Sequence, residues 1–459
     1  MSNCETYESA LNHVNTFSSP ADLRITDIRF ADIYGAPMHC SLIKVYTNQG
    51  LIGFGEVRDG ADKVYAQMLK SRLLGENPCN IDKLFRRIKQ FGGHARQGGG
   101  VSGLEIALWD LAGKAYNIPI YQMLGGKFRD KIRMYCDTDV AGKDTGAAMG
   151  EALKKRMEKG FTFLKMDLGI NQIIDHPGTL SAPIGFLEEM KALSKAWRNR
   201  KNLSEDEVRY LRNRQYDHQN IAHPFTHTHV TEKGLDMLEQ YVADVRDVIG
   251  YEVPLAIDHF GHIGLENCIK LGRRIDKFNL AWMEDMIPWQ YTDQYVRLAN
   301  SVSTPICTGE DIYLKENFRP LLEARGVSVI HPDVLTSGGI LETKKIGDLA
   351  QEHGVAMAIH MAESPIACLA AVHAAAATEN FLALEYHSVD VDWWDDIIVS
   401  RLPKPLVQNG FITVPDAPGL GIEALNDEVI AQHIHPDIPG LWEPTDSWNH
   451  YWSNDRLWS

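Results

Sequence analysis

The stretch from Leu255 to His360 decides the fold, because five short apolar runs within it each end in an acidic or basic residue. With the residues that follow them, the runs are LAIDHFGH (255–262), AWMEDMIP (281–288), CTGEDIY (307–313), VIHPDVL (329–335) and AIHMAES (358–364). The first three contain Asp258, Glu284 and Glu310, which follow one another at intervals of 26 residues. That interval is about the length of one strand–helix unit, so it predicts neighbouring parallel strands.

A repeat of this length predicts a (β/α)8-type barrel, in which the carboxyl ends of the strands form one rim. Eight runs are the predicted barrel strands: IRMYCDTD (132–139), FLKMDLG (163–169), PLAIDHFG (254–261), LAWMEDMIP (280–288), ICTGEDIY (306–313), VSVIHPDVL (327–335), VAMAIHMA (355–362) and FLALEYHS (381–388). One acidic residue after an apolar run is usually a helix cap or a loop residue. Three carboxylates at one rim repel each other and lose hydration, so a cation must join them. Oxygen ligands select a hard ion, with Mg²⁺ the first candidate.

The same stretch resembles the enolase superfamily, in its mandelate racemase-like branch. The resemblance implies three metal ligands at the ends of strands three, four and five, namely Asp258, Glu284 and Glu310. It also implies an Asp–His dyad on strands six and seven, formed by Asp333 and His360, and a functional Glu385 on strand eight. It covers nearly the whole chain beyond about residue 22.

At 459 residues the chain is too long for one ordinary core, so we expect more than one domain. The alternating runs ITDIRFADIY (25–34) and HCSLIKVYTNQGLIGFGEV (39–57) predict strands that precede helices, which is an α+β unit separate from the barrel. The segment GFITVPDAPGLGIEAL (410–425) resembles the strand by which the family's chain returns to its first domain. The predicted divisions are a tail at 1–22, an α+β capping domain at 23–130, the barrel at 131–404 with an insertion at about 170–230, and a C-terminal segment at 405–459 that completes the capping domain.

The composition, with 44% hydrophobic and 23% charged residues, is that of a globular protein outside the membrane. The formal charge of −15 argues against nucleic acid as a partner, although a bound Mg²⁺ would still admit an acidic substrate. Seven scattered cysteines without a CxxC motif predict free thiols in a reducing cytoplasm. The first twenty residues lack an apolar core, so no secretory signal is predicted.

The predicted chemistry is removal of the proton next to a carboxylate. A divalent ion would stabilise the two negative charges of the resulting enediolate. Histidine is the side chain best suited to act as a base at neutral pH, so His360 is the predicted base, with Asp333 orienting its ring. Glu385 is predicted to be an acid or a hydrogen-bond partner that faces the substrate.

Two positions depart from the family's pattern. Lys165 and Asp167 are two residues apart and so point to the same side of a strand, where many relatives have two lysines. An anion at Asp167 favours the ammonium form of Lys165, which suits an acid or an electrostatic contact better than a second base. Some dehydratases of this branch place a general-acid histidine just past the first metal ligand. His262 is a candidate for that role, and the alternative is a loop histidine.

These features predict a Mg²⁺-dependent sugar-acid dehydratase, which converts an aldonate or aldarate into a 2-keto-3-deoxy acid. One alternative is an epimerase, racemase or cycloisomerase with the same enediolate and Lys165 opposite His360. A less favoured alternative is a binding protein that has lost turnover. The resemblance also implies a homo-oligomer. The insertion is predicted to be a lid or an oligomer contact.

Overall fold

The computed structural model describes residues 18–139, 142–182, 185–216, 228–258 and 263–453. Contacts divide the chain into two compact units. The first unit contains the residues up to 136, residues 309–319 and the residues from 330 onward, and the second contains residues 137–308 and 320–329. The predicted domain boundaries follow the sequence pattern rather than this division, and they stay a prediction.

The chain forms both strands and α-helices. In chain order, the strands are β1 (Ile25–Tyr34), β2 (His39–Thr47), β3 (Ile52–Val57), β4 (Lys131–Thr138), β5 (Leu164–Asp167), β6 (Leu180–Ser181), β7 (His229–Val230), β8 (Leu255–Asp258), β9 (Met283–Glu284), β10 (Ile306–Thr308), β11 (Val329–Ile330), β12 (Ala356–Ile359), β13 (Phe381–Tyr386), β14 (Ile398–Ser400), β15 (Val407–Gln408), β16 (Phe411–Thr413) and β17 (Ile422–Leu425). The α-helices are α1 (Val64–Gln67), α2 (Lys70–Leu73), α3 (Ile81–Ile88), α4 (Gly99–Tyr116), α5 (Ile120–Met123), α6 (Gly146–Glu158), α7 (Phe186–Arg198), α8 (Glu205–Tyr216), α9 (Glu232–Ile249), α10 (Leu265–Ile275), α11 (Thr292–Ala299), α12 (Lys315–Glu323), α13 (Ile340–Glu352), α14 (Pro365–Ala376) and α15 (Asp427–Gln432).

Eight strands form the barrel, in the order β13, β12, β11, β10, β9, β8, β5 and β4, and a pairing of β13 with β4 closes it. The pairs β5–β8, β8–β9 and β9–β10 of the second unit are parallel, as are β12–β13 and β13–β4 of the first. Each of the eight predicted runs overlaps one of these strands. The predicted (β/α)8-type barrel with a strand-rich N-terminal part is therefore confirmed.

The N-terminal sheet consists of three antiparallel strands in the order β1, β2 and β3. Helix α4 lies against β3 so closely that a Cβ atom added at Gly103 would be 2.1 Å from the Glu56 carbonyl oxygen. Only glycine admits this approach, which fixes the end of β3 against the helix. The next residues after β3, Arg58 and Asp59, are almost fully buried as a result of this packing.

Glu56 links β3 to the helix that follows the His360 strand. Its carboxylate accepts hydrogen bonds from the Ser364 hydroxyl (2.5 Å) and from the backbone N–H groups of Ser364 (3.1 Å) and Ala367 (3.2 Å). It therefore caps the first turn of α14. Burial raises the pKa of Glu56 to about 7, because the protein interior disfavours the charged form of this carboxyl group.

The C-terminal segment extends the N-terminal sheet along β1. Leu441 bridges to Ala31, and Ile434 bridges to Ile33. The Trp442 indole lies 4.0 Å from the Lys44 ammonium. The last part of the chain that the structure describes thus packs on the N-terminal sheet, in the same compact unit.

The insertion after β5 contains helices α7 and α8 and the antiparallel pair β6–β7. Ser204 and Glu207 form a capping box at the start of α8, because the Ser204 N–H donates to Glu207 Oε2 (2.8 Å) and the Glu207 N–H donates to Ser204 Oγ (3.4 Å). Thr231 caps α9, because its side chain accepts from the Gly234 N–H (3.2 Å).

Within the described ranges, no helix is long and apolar enough to cross a membrane. The residues of the apolar helix α14 are all buried. Its His373 accepts a hydrogen bond from the Tyr121 N–H at Nδ1 (3.3 Å). Burial lowers the pKa of His373 to about 4.

Because of this histidine, we expect part of the stability to disappear in weak acid. The unfolded chain takes up a proton at His373 near pH 6.5, whereas the folded chain resists it down to about pH 4. The contribution is therefore fully present above pH 6.5 and is lost as the pH falls from 6.5 towards 4, by at most about 3 kcal/mol. Thermal midpoints measured between pH 7 and 4.5 should fall less steeply for His373→Gln than for the wild type. Equal slopes would contradict the expectation.

Candidate active site

In the second unit, two buried carboxylates share one cation. The Lys165 ammonium donates to Asp258 Oδ2 (2.9 Å) and to Glu284 Oε1 (2.8 Å). All three side chains are at most 3% exposed. The parallel register places Asp258 opposite Glu284 at the ends of β8 and β9. The structure therefore brings two of the three predicted metal ligands together at the predicted rim.

Trp282 orients the Glu284 carboxylate of this pair. Its indole Nε1–H donates to Glu284 Oε2 (2.7 Å), so both oxygens of that carboxylate have a partner. The Trp282 ring is fully buried and packs on Phe163. A carboxylate held by a rigid indole has little freedom to turn, which is what an ion-binding oxygen requires.

Asp167 was predicted to be the anion beside Lys165. It lies opposite Asp258 in the register of β5 and β8, and it is only half-buried. The carboxylates that accept from Lys165 are Asp258 and Glu284, which come from the two following barrel strands. The roles of Asp167 and Lys165 remain predictions.

In the first unit, Asp333 and His360 form the predicted dyad. His360 Nδ1 and Asp333 Oδ2 are 2.6 Å apart, and the two residues bridge as parallel strand neighbours. Asp333 Oδ1 accepts the backbone N–H groups of Leu335 (2.6 Å) and Thr336 (3.2 Å). Burial works against the charge of Asp333, but Arg58 and the His360 hydrogen bond outweigh it and lower its pKa. Asp333 is therefore a fixed anion behind the ring.

Arg58 is a central cation that the sequence analysis did not identify. Its guanidinium lies 2.7 Å from Asp333 Oδ2 through Nη1 and 3.1 Å from Glu310 Oε1 through Nη2. Its Nε lies 2.7 Å from Asp59 Oδ1, and the side chain is fully buried. Glu310, the third predicted metal ligand, also approaches His360, with Oε2 3.3 Å from Nε2. Arg58 thus holds the dyad and Glu310 in one arrangement.

Glu363 and Asp59 lie behind Arg58. Burial and then the nearby Asp333 charge raise the pKa of Glu363 well above its usual value. Burial opposes the charge of Asp59, but Arg58 and Arg96 outweigh it and lower the pKa of Asp59. The two neighbouring acids are therefore shifted in opposite directions around the guanidinium.

Glu385 lies fully buried among three histidines. Its Oε2 is 3.4 Å from His331 Nε2 and 3.8 Å from His360 Nε2, and its Oε1 is 3.2 Å from His387 Nε2. His331 in turn bonds to the Tyr135 hydroxyl. Glu385 is therefore close to the predicted base, and its role as an acid or a hydrogen-bond partner that faces the substrate stays a prediction.

His262 lies outside the described residues, so its predicted role as general acid stays a prediction. The sequence analysis missed Arg58, His331 and His387, although His331 stands in the same run as Asp333. A signal existed for His387, because it follows Glu385 by two residues and alternate strand residues point to the same side.

Comparison with known proteins identifies the family. Residues 148–429 match the family described as enolase C-terminal domain-like, and residues 34–125 match the mandelate racemase / muconate lactonizing enzyme N-terminal domain. The chain belongs to this family, so the predicted membership is confirmed. Members of the enolase superfamily use a divalent metal ion.

The curated relatives define the subgroup. Over 421 residues, covering 90% of both chains, the sequence is 32% identical to D-xylonate dehydratase of Haloferax volcanii. It is 27% identical to arabinonate dehydratase of Saccharolobus solfataricus over 394 residues, which are 84% of this chain and 88% of the relative. The predicted reaction class is the one for which these relatives are named.

A solved structure supports the fold over the same span. The mandelate racemase/muconate lactonizing enzyme-like protein from Rubrobacter xylanophilus superimposes with a TM-score of 0.74 at 28% identity. The match covers 91% of this chain and 99% of the other.

Proposed function

We propose that this protein is a hydro-lyase that dehydrates a sugar acid, most simply an aldonate, to a 2-keto-3-deoxy acid. The observation that carries the proposal is the dyad, in which a fully buried Asp333 holds His360 Nδ1 at 2.6 Å. This contact fixes the ring so that Nε2 is the nitrogen that accepts a proton. Relatives named D-xylonate, arabinonate and D-galactonate dehydratase support the reaction and the substrate class.

The donor set fits a hard divalent cation, and we include Mg²⁺ in the proposal. Asp258 and Glu284 already share a positive charge, the Lys165 ammonium, within 2.9 Å of an oxygen of each. Glu310 follows β10, the next strand in the barrel order, and offers a third carboxylate. Carboxylate oxygens without nitrogen or sulfur ligands favour Mg²⁺. When bound, such an ion would neutralise the charge that develops on the substrate carboxylate.

The chain's own residues perform the proton transfer. His360 Nε2 takes the proton from C2, and Asp333 stabilises the imidazolium that results. Arg58 keeps Asp333 oriented during this step, because the same Oδ2 atom contacts both the guanidinium and the His360 ring. Loss of the C3 hydroxyl then gives an enol, which becomes the 2-keto product.

The position of Lys165 favours elimination over epimerisation. A two-base epimerase needs Lys165 to accept a proton from the face opposite His360. In this structure Lys165 donates hydrogen bonds to two carboxylates instead. The epimerase therefore remains the second candidate, and it is distinguished by the same experiment as the dehydratase.

Proton NMR in D₂O tests the proposed function. Purified protein with Mg²⁺ is incubated with single C5 and C6 aldonates and with aldarates. A new C3 methylene or monodeuterated signal of a 3-deoxy product is expected from at least one aldonate. Loss of the C2 proton with inversion but without a 3-deoxy product would establish an epimerase. No reaction with any of these acids would contradict the sugar-acid proposal.

Metal binding has its own expected result, independent of turnover. Mg²⁺ should raise the thermal midpoint. At 100 times its dissociation constant, the ion should stabilise the folded state by about 2.7 kcal/mol. Glu284→Gln removes one charged ligand and should abolish most of the shift. Na⁺ at matched ionic strength is the control. An equal Mg²⁺ shift in the variant would show that the ion binds elsewhere.

The proposal also includes the cellular location and the oligomeric state of the protein. A cytoplasmic location is supported by the free thiols of Cys40, Cys79, Cys136, Cys268, Cys307 and Cys368. A homo-oligomer is proposed from the family resemblance. Size-exclusion chromatography with light scattering tests the assembly directly.

A further inference from the structure

The proposed dehydration needs a group that protonates the departing C3 hydroxyl, because hydroxide is a poor leaving group. Such an acid must reach the substrate whose C2 proton His360 removes. It must also be held by a partner that supports its charged form. This inference rests on the proposed function and adds the residue that the sequence analysis left open.

Glu385 provides such a partner for a second histidine. Its carboxylate is fully buried, and Oε1 lies 3.2 Å from His387 Nε2. This contact is an ion-pair distance, longer than the 2.6 Å hydrogen bond between Asp333 and His360, and it also places a buried carboxylate beside one ring nitrogen. The two dyads are adjacent, since the His360 and His387 ring centroids are 6.0 Å apart with an interplanar angle of 55°.

His387 differs from its buried neighbours in being accessible. The side chain is 19% exposed, whereas His331 is fully buried and bonds to Tyr135. The Nε2 atom of His387 is itself buried, so the accessible part of the ring lies away from Glu385. His331 is enclosed within the protein, so His387 and His360 are the histidines of this group that have an accessible edge.

We propose that His387 is the general acid of the dehydration, held by Glu385 at Nε2 and donating its proton from Nδ1. The C2–H bond breaks, its proton goes to His360 Nε2, and its electron pair forms the enediolate. That pair then forms the C2–C3 double bond while the C3–O bond breaks. The departing oxygen keeps the bonding pair and takes the proton of His387 Nδ1, which gives water.

Ketonisation restores both histidines. C3 takes the proton from His360 Nε2, and the enol hydroxyl returns a proton to His387 Nδ1. The net reaction is loss of one water without oxidation or reduction. The two rings are neighbours in the same compact unit. The inference therefore predicts that the C2 proton and the C3 hydroxyl leave from the same side of the substrate.

The test separates proton abstraction from elimination. The wild type, His387→Gln and His360→Asn are each incubated in D₂O with Mg²⁺ and the aldonate that the wild type dehydrates. C2–H exchange and 3-deoxy product are followed by NMR. A second substrate carries fluorine in place of the C3 hydroxyl, since fluoride leaves without protonation. His353→Gln, at an exposed helix end, is the matched control.

We expect His387→Gln to lose about 10²–10⁴-fold in dehydration. It should nevertheless keep C2–H exchange and eliminate fluoride at the wild-type rate. His360→Asn should lose all three activities, and His353→Gln should lose none. Thermal midpoints with and without Mg²⁺ confirm that each variant is folded.

Three results would overturn the inference. They are dehydration at the wild-type rate in His387→Gln, joint loss of exchange and dehydration in that folded variant, and lost dehydration without recovery on the fluoro substrate. A His387→Gln variant that does not fold is replaced by His387→Asn, which is judged by the same three results. A wild type that dehydrates no aldonate is a different outcome, because it removes the proposed function and this inference with it.

Discussion

Replacing His360 by asparagine is expected to lower kcat by about 10⁴-fold, the upper end of what a general base contributes. The asparagine amide occupies the place of the inner half of the ring and still donates to Asp333, so the buried carboxylate keeps a partner. Only the outer nitrogen, Nε2, is lost, and with it the group that accepts the C2 proton. The fold should be retained, because His360 is held by hydrogen bonds that the amide can replace.

The measurement is product formation from the aldonate, together with exchange of its C2 proton in D₂O. Both should disappear, whereas a variant deficient only in leaving-group departure would keep the exchange. His353→Asn makes the same chemical change at an exposed position and should leave both rates unchanged. If His360→Asn still exchanged the C2 proton, the base would have to be another residue.

The barrel and the dyad were predictable for one physical reason. In a parallel barrel, each strand ends at the same rim, so a polar residue after an apolar run is placed by the repeat alone. Asp333 and His360 meet in the structure because both follow neighbouring strands. Asp258 and Glu284 meet for the same reason, in register at the ends of β8 and β9.

The partners of the charged residues were less predictable. The sequence placed Asp167 beside Lys165, and that prediction stands untested, but it did not indicate that Lys165 also donates to carboxylates 93 and 119 residues away in sequence. Arg58 follows a strand of the N-terminal sheet and contacts Glu310, 252 residues later. Local patterns define strands and helices, whereas such pairs depend on how distant elements pack.

The insertion also shows that local sequence patterns predict secondary structure but not long-range contacts. The start of its helix α8 is encoded locally, because a capping box is a signal that involves only four residues. Its role as a lid or an oligomer contact depends on what it touches, and no local pattern encodes that. The predicted role therefore stays a prediction.

Arg58→Met is expected to cause the largest loss of stability, about 3–5 kcal/mol, because it removes the cation from a group of buried anions. Asp59 and Asp333 are at most 2% exposed. Without the guanidinium, each must either keep a buried charge or take up a proton against its preference, and both outcomes cost free energy. Arg58→Lys restores a positive charge but not the fork that reaches Asp333 and Glu310 at once. It should recover part of the stability and little of the activity.

Chemical denaturation followed by circular dichroism measures the loss, with Arg96→Met as the matched control. Arg96 contacts Asp59 at 3.1 Å and Asp311 at 3.4 Å, but its side chain is 42% exposed. Its removal should cost less than about 1 kcal/mol, since solvent screens such pairs. Equal losses in the two variants would mean that Arg58 contributes only an ordinary ion pair. A small loss for Arg58→Met with normal activity would show that Asp333 holds His360 without its help.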